Sequence, residues 1–390
     1  MVKKQIFGRI LLGVMGIVAA FGISIAADSV LGWYLGTIHY FKAMPPNFTK
    51  VYDTSEFTVE ARISSQGLRN EEVAVPKPDG TFRILAVGDS FTYGWGVDVA
   101  LSWPKLLEKS LNVPGKKVEV INAGLPGAGP TDERRVCRAY KDWFEADAII
   151  LGIYRDDFYQ AAARQERLPA WVAWMENTWP TVFQVAMPII GISKAWEQAN
   201  FGQQGVIRSS EVWRDEVAYG LKQNPTILLK IDPKLRQDFL HGKINPALVG
   251  RSAGDPNFLT YILDDDLANI AFSAMDQRLE RFAKRCGGEV PVAVVFFPGP
   301  TLVSEYYLDF KKELGYVVDE RLTKFDIETP LKGMVEKYNF TYFSILPDFR
   351  QDECLDCFYP YDGHMTVQGN QRTLTSLLPA FQKWLDGVYK

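Results

Sequence analysis

The sequence has 390 residues, of which 47% are hydrophobic and 13% aromatic, and its formal net charge is −4. A chain of this length and composition can bury a sizeable core, which excludes global disorder. Acidic and basic residues are interspersed without a basic face, so nucleic acid is excluded as an expected partner. With only three histidines, we expect no histidine-rich metal site and no other cofactor.

The first predicted element is an apolar helix over residues 10–27, which follows a basic flank. Such a helix is about 27 Å long, close to the thickness of the hydrocarbon core of a bilayer. The basic flank predicts that the N-terminus stays in the cytoplasm and that the rest is exported. Ser24 and Ala26 fit a signal-peptide cleavage site, whereas the length of the run and the aromatic residues after it favour a retained anchor. Residues 1–42 are therefore a membrane anchor or a signal segment, with the anchor favoured.

Residues 43–79 combine prolines with polar residues, and we interpret them as a stalk that leads into a domain over residues 80–390. Short apolar runs rich in β-branched residues then recur along the domain, each with the length of a buried strand. The five predicted strands are Arg83–Val87, Val118–Ile121, Ala148–Ile153, Val292–Phe297 and Tyr342–Ile345.

Helical patterns separate most of these strands. One helix is predicted over Ser102–Leu111, a second opens at Thr131, a third has its apolar face between Leu267 and Ala283, and the last covers Thr366–Trp384. Strands that alternate with helices predict an α/β three-layer sandwich with a mostly parallel five-stranded sheet. One N-terminal transmembrane helix is expected to precede this fold.

A long interval between the third and fourth strands, at about residues 158–264, interrupts the alternation. We interpret it as an inserted cap over the sheet. Core packing is the favoured role for its aromatic residues, and a ligand groove or a membrane-facing surface is the alternative. Its five tryptophans are Trp171, Trp174, Trp179, Trp196 and Trp213.

Four cysteines fit an exported protein. Cys354 and Cys357 have the spacing C-x-x-C, but they lie late in the chain in a polar segment and away from any strand-to-helix turn typical of a redox motif. We interpret them as structural. Cys137 and Cys286 stand alone, so no second pair is available for a four-ligand zinc site.

Residues suited to chemistry follow the predicted strand ends, where parallel sheets bind their ligands. Ser90 comes directly after the first strand in Gly88-Asp89-Ser90, at a turn that exposes its hydroxyl. The second strand leads into the glycine-rich segment 122–129, whose backbone can approach a substrate closely. The third leads into residues 154–157, and His364 stands directly before the last helix.

This set resembles the SGNH, or GDSL, hydrolase superfamily over about residues 83–384. The resemblance implies that Ser90 is a nucleophile and that His364 is its base. It also implies an oxyanion hole that contains the N–H groups of Ser90 and Gly127, with Gly124 as an alternative for Gly127. Residues 65–70 and the apolar helix further resemble exported bacterial members that sit with cell-surface polysaccharide machinery.

Two positions depart from the family pattern. The family aspartate usually stands three residues before the histidine, where this chain has Tyr361, so Asp362 is the candidate acid and Asp356 a remote alternative. The third block usually supplies an asparagine whose amide belongs to the oxyanion hole, and that place holds Asp156. A carboxylate can donate there only when it is protonated, so Arg155 is an alternative donor.

The sequence thus predicts a serine esterase or O-acyltransferase that acts on acyl esters, expected to be acetyl esters, of an extracytoplasmic carbohydrate. The alternative is a catalytically silent, membrane-tethered protein that binds polysaccharide or acts as a scaffold for surface-glycan synthesis. Expected partners are the acylated carbohydrate, the membrane, and membrane-bound polysaccharide-synthesis or acyltransferase proteins. The expected location of the domain is periplasmic or at the cell surface.

Overall fold

The computed structural model describes residues 2–37, 42–167, 174–175, 178–179, 181–182, 206–288 and 290–388. The strands within these ranges are β1 Phe48–Asp53, β2 Thr58–Ile63, β3 Thr81–Gly88, β4 Lys117–Gly124, β5 Ala148–Tyr154, β6 Val206–Arg208, β7 Val292–Phe297 and β8 Thr341–Ser344. The helices up to β7 are α1 Val2–Thr37, α2 Ser90–Tyr93, α3 Trp103–Leu111, α4 Pro130–Tyr140, α5 Arg155–Arg167, α6 Ser209–Gln223, α7 Ile227–Lys230, α8 Arg236–Leu240, α9 Pro246–Gly254 and α10 Asp265–Phe282. The later helices are α11 Pro300–Val303, α12 Tyr306–Glu313, α13 Glu328–Lys337, α14 Leu346–Gln351 and α15 Val367–Val388.

Five strands form an all-parallel sheet in the order β4-β3-β5-β7-β8. This sheet confirms the predicted α/β fold, and each of the five predicted strands overlaps one of its strands. The apolar runs predicted them well because a parallel sheet is covered on both faces. In β7, for example, every residue is buried.

Helices cover both faces of this sheet. The chain moves from β3 outward to β4 and then back past β3 to β5, and parallel crossovers are right-handed, so α3 and α4 must lie on opposite faces. The packing agrees with this rule: α3 contacts α15, whereas α4 and α13 both contact α10. The carboxyl ends of β3, β4 and β5 therefore meet at one open edge of a three-layer sandwich.

The interpretation of residues 43–79 as a stalk is wrong. Strands β1 and β2 form an antiparallel hairpin, and β6 adds to β1 to make a second, three-stranded sheet. Alternate residues of β2 are buried: Val59, Ala61 and Ile63. The segment is thus a folded part of the domain, because its apolar residues pack inward with the period of two that strands require.

The described residues belong to two compact units, Met1–Phe41 with Glu166–Gln203, and Lys42–Gln165 with Gln204–Lys390. The segment 158–264, predicted to be an inserted cap, is divided between these units, with Glu166–Gln203 in the first and the rest in the second. Helices α6 to α9 belong to the same unit as the sheet, where Trp213 is buried. Trp171 and Trp196 lie outside the described residues.

Helix α1 contains an apolar stretch, Met15–Tyr34, that is long enough to cross a membrane, and such a helix near an N-terminus is typical of an anchor or of a signal sequence. All four cysteines are paired. Cys137 is joined to Cys286, which links α4 to the end of α10, and Cys354 is joined to Cys357 in the segment before α15.

Candidate active site

Ser90 lies at the first position of α2, immediately after β3. The carboxylate of Asp89 caps this short helix by accepting the N–H of Phe91 at 2.9 Å. Gly94 ends the helix with a φ of 79°, a conformation that favours glycine. Burial raises the pKa of Asp89 to about 6, although the Phe91 N–H and the neighbouring His364 oppose the increase. The turn thus fixes the Ser90 side chain at the carboxyl edge of the sheet.

Gly124 has a packing role beside this turn. A Cβ atom at Gly124 would lie 2.1 Å from the main-chain nitrogen of Tyr93, so only glycine allows α2 to rest on the end of β4. The Gly124 N–H donates to the side-chain oxygen of Asn122 at 3.0 Å. This N–H is therefore engaged, and the geometry favours Gly127 over Gly124 as an oxyanion donor.

Arg69 holds the far side of the turn that carries Ser90, although nothing in the sequence marked it as a site residue. Its guanidinium is buried and donates to the carbonyl oxygens of Tyr93, Gly94 and Val97 at 3.2, 2.5 and 2.7 Å. One side chain thus bonds to three carbonyls at and just after the end of α2, where a helix leaves carbonyls without helical partners.

The structure brings Ser90, His364 and Asp362 together. The distance from His364 Nε2 to Ser90 Oγ is 2.7 Å, and His364 Nδ1 is hydrogen-bonded to Asp362 Oδ1. Trp95 Nε1 donates to the other carboxylate oxygen of Asp362 at 3.2 Å. Burial alone would raise the pKa of Asp362, but His364, Lys311 and Trp95 together outweigh that effect and the pKa is lowered. Asp356, the alternative acid, is exposed and is not part of this arrangement.

The loop that carries Asp362 is held from two sides. The carboxylate of Glu56, in the turn between β1 and β2, accepts the N–H groups of Tyr361 and Asp362 at 2.9 and 2.7 Å. The buried Nζ of Lys311 donates to the carbonyl of Tyr361 at 2.5 Å. Gly363 has a φ of 88°, and a Cβ there would lie 2.8 Å from that Nζ. Neither Glu56 nor Lys311 was predicted, because both act on main-chain atoms far along the chain.

Two main-chain N–H groups remain for an oxyanion. Within the described part of the chain, neither Ser90 nor Gly127 donates its N–H to another residue. Gly127 is exposed and has a φ of 75°, and a Cβ there would meet nothing within 4 Å. Both positions follow strand ends on the same edge of the sheet, so two donors can point at a substrate carbonyl.

Asp156 is not arranged as a hydrogen-bond donor. One of its oxygens accepts from Arg155 Nη2 at 2.5 Å and Nε at 2.9 Å, and the other accepts from Arg251 Nη1 at 3.1 Å. Arg155 Nη1 donates to Thr301 at 2.8 Å, so the buried Arg155 guanidinium is held by Asp156 and Thr301. The structure therefore provides no third donor from Asp156, and Arg155 faces its own partners.

The fold and the site define an α/β protein with a Ser-His-Asp hydrogen-bonded triad at the carboxyl edge of a parallel sheet. No protein-family model matches the chain, and no curated protein is similar to it. Solved structures with a related arrangement are TesA (12% identity, 78% of this chain, 99% of that chain, TM-score 0.35) and the esterase EstA from Pseudoalteromonas sp. (11%, 79%, 100%, 0.36). A third is AlinE4, an SGNH-hydrolase family esterase (14%, 79%, 99%, 0.32).

Proposed function

We propose that the protein is a serine esterase or O-acyltransferase that acts on acyl esters, expected to be acetyl esters, of an extracytoplasmic carbohydrate. The observation that carries the proposal is the 2.7 Å contact between Ser90 Oγ and His364 Nε2, with Asp362 on the other ring nitrogen. A serine hydroxyl becomes a nucleophile when an oriented imidazole takes its proton.

The steps follow from this geometry. His364 Nε2 takes the Ser90 proton as Oγ bonds to the carbonyl carbon of the ester, and the resulting oxyanion accepts the N–H groups of Ser90 and Gly127. Collapse of the intermediate breaks the bond to the alcohol oxygen, which leaves with the proton from His364. The acyl-serine is then attacked by water in hydrolysis or by a sugar hydroxyl in transfer, with His364 again taking the proton.

The carbohydrate and the location rest on other support. The resemblance of residues 65–70 and of the apolar helix to exported members that sit with polysaccharide machinery favours an O-acylated glycan as substrate. A helix with the stretch Met15–Tyr34 and a basic flank favours a domain outside the cytoplasmic membrane. Protease added to spheroplasts should therefore digest the domain and leave a short protected N-terminal fragment, and a fully protected domain would contradict export.

A second candidate function is a catalytically silent protein that binds polysaccharide or acts as a scaffold for its synthesis. The observation that favours it is the pairing of Asp156 with two arginines, which leaves the oxyanion with two donors. Loss of one oxyanion-hole donor typically lowers the rate by ~10²–10³. The two candidates differ in whether Ser90 forms a covalent acyl intermediate.

The test is labelling and turnover in matched variants. A fluorophosphonate should label Ser90 in the wild-type protein, and an acetylated oligosaccharide should lose or exchange its acetyl groups. Ser90→Ala and His364→Ala should each abolish both signals, and the double variant should lose little more than either single one because the residues act as a unit. Ser376→Ala and His241→Ala are matched controls away from the triad. Turnover by Ser90→Ala would refute the acyl-serine mechanism, and absence of labelling in a folded wild-type protein would favour the silent protein.

A further inference from the structure

Helix α1 contains a buried acidic residue within its apolar stretch. Asp28 lies in Met15–Tyr34, yet it is only 3% exposed. Its carboxylate accepts the main-chain N–H groups of Thr181 and Val182 at 3.2 and 2.7 Å. A carboxylate among apolar residues requires such partners, because burial without hydrogen bonds is strongly unfavourable.

Aromatic contacts join the same two parts of the chain. The ring of Phe21 lies 6.2 Å from that of Trp174 in a stacked arrangement and 5.5 Å from that of Trp179 in an edge arrangement. Trp179 Nε1 donates to Ser24 Oγ at 3.1 Å. The indole N–H is therefore satisfied by a small polar residue of the helix.

Gly32 allows Thr181 to approach α1 closely, one turn beyond Asp28. A Cβ at Gly32 would lie 2.6 Å from Thr181 Oγ1 and 3.7 Å from Thr181 Cβ. With threonine at position 181, a side chain at position 32 would meet the Thr181 hydroxyl, so glycine lets this threonine pack directly against α1.

The contacts occupy one face of α1. Phe21, Ser24, Asp28 and Gly32 follow each other at intervals of three, four and four residues, which places them on one stripe of a helix. The large hydrophobic residues elsewhere in the stretch are exposed, as for a surface that faces lipid. They are Met15, Ile17, Val18, Ile23, Ile25, Val30, Leu31, Trp33 and Tyr34.

We propose that α1 is retained as a membrane anchor and that its Phe21-to-Gly32 stripe is the docking surface for the described residues between 174 and 182. The described residues between 174 and 182 are thereby a second membrane-associated segment. In hydrocarbon an unpaired main-chain N–H has no water to bond with, so the two bonds to Asp28 satisfy groups that could not otherwise enter the bilayer.

Retention follows because the stripe extends across the candidate cleavage site. A cut after Ala26 would remove Phe21 and Ser24 and leave Trp174 and Trp179 without these partners. Asp28 and Gly32 would then lie in the first turns of the remaining helix, at the new N-terminus of the chain. This inference does not depend on esterase activity, so a failure of either proposal leaves the other unaffected.

The first experiment determines the N-terminus of the full-length protein from washed membranes by intact mass. We expect residues 1–26 to be present and the protein to resist extraction with alkaline carbonate. A mature chain that starts after Ala26 would overturn the proposal directly, whatever the variants below show.

The second experiment cross-links the two parts in the membrane. The 3.7 Å separation of the Cβ positions in Gly32→Cys with Thr181→Cys is close to the ~3.8 Å mean of disulfides. After mild oxidation, non-reducing peptide mapping should find this pair joined. Gly22→Cys with Thr181→Cys is the matched control, since a Cβ at Gly22 of the same helix meets nothing within 4 Å. Equal yields in the two double variants would overturn the proposal.

The third experiment adds Asp28→Ala to the cross-linking pair. Both N–H groups of Thr181 and Val182 lose their acceptor, so the yield of the joined peptide should fall several-fold, whereas Asp28→Asn keeps one acceptor oxygen and should have an intermediate yield. An unchanged yield in Asp28→Ala would show that the carboxylate does not hold the segment and would overturn its assigned role.

Discussion

Substitution of Glu56 by glutamine tests how the acid of the triad is positioned. The two carboxylate oxygens of Glu56 accept the N–H groups of Tyr361 and Asp362, which are 305 and 306 residues further along the chain. Glutamine keeps one acceptor oxygen and places an NH₂ group against the other N–H. One hydrogen bond is lost, and two donors then face each other beside Asp362.

The magnitude follows from the hydrogen bonds involved. A hydrogen bond to a charged group contributes ~1.5–3 kcal/mol, and the donor pair left behind adds to that loss. If most of this free energy is expressed as misplacement of the Asp362 loop in the transition state, Glu56→Gln should lower kcat by about 10–100-fold. KM should change little, because Glu56 contacts the loop and acts on the reaction through Asp362.

A pH profile separates positioning from a general loss of structure. Burial raises the pKa of Glu56 to about 7, the Asp362 charge adds to this, and the Tyr361 and Asp362 N–H groups and Lys311 oppose it. The Glu56 charge also acts on the hydroxyl of Tyr359 and on Lys311. As the pH falls through about 7, Glu56 gains a proton and loses one acceptor, so activity should decline. The part of this decline that Glu56 causes should be absent from Glu56→Gln, so the acid limb of the pH profile should be shallower in the variant than in the wild-type protein.

The assay is ester hydrolysis per fluorophosphonate-labelled site, with thermal unfolding measured in parallel. Glu60→Gln is the matched control, because Glu60 is exposed on the same hairpin and its side chain pairs with Arg62. Wild-type kcat in a folded Glu56→Gln protein, or an unchanged slope of the acid limb, would refute the positioning role.

Two further changes probe the oxyanion donors and the other side of the acid. Gly127→Ala should lower kcat well beyond any loss in the control Gly80→Ala. Both glycines have positive φ and open surroundings, but of the two Gly127 alone offers its N–H at the site. Equal rates in the two variants, normalised by active-site titration, would contradict the oxyanion role. Trp95→Phe removes the indole N–H from Asp362 and should lower kcat about tenfold. Trp103→Phe removes a buried indole N–H that makes no hydrogen bond within the described residues and should leave kcat unchanged. A comparable loss in both variants would point to packing instead.

The sheet was predictable because each of its strands can be recognised from its own residues. A strand covered on both faces must be apolar throughout, and each of the five runs meets this condition without reference to the rest of the chain. The order of the blocks then placed Ser90 at a strand exit and His364 directly before the last helix. Asp362 followed because an acid close to the histidine in sequence can reach its Nδ1, as the structure shows.

The hairpin before the sheet could have been found from its alternation. In β2 the residues Val59, Ala61 and Ile63 point inward and their polar neighbours outward, a pattern of period two that was visible within residues 43–79. Prolines and polar residues around it led to the stalk interpretation. Arg69 and Glu56 had no such signal, since a charged residue normally indicates a solvated surface and their partners are carbonyl and N–H groups set by tertiary structure.

Asp156→Asn affects both a buried ion pair and the position that the third block would give to an oxyanion donor. Removal of one partner from a buried ion pair typically costs ~3–5 kcal/mol, so the loss of the Asp156 charge beside the buried Arg155 should lower the melting temperature. The asparagine oxygen can still accept from Arg155, and its NH₂ then faces Arg251, whose side chain is 40% exposed and can move away.

The rate per labelled site separates this loss of stability from catalysis. If residue 156 occupies the oxyanion position, Asp156→Asn combined with Arg251→Ala frees an amide donor and should raise kcat by ~10²–10³ in a less stable protein. Arg251→Ala alone is the control, because it removes the same arginine without adding a donor. A double variant no faster than this control would exclude the third block from the oxyanion hole, and the two N–H groups of Ser90 and Gly127 would then be the donors on which turnover depends. A silent wild-type protein that becomes active only with Asp156→Asn would instead assign the natural sequence to the binding or scaffold class.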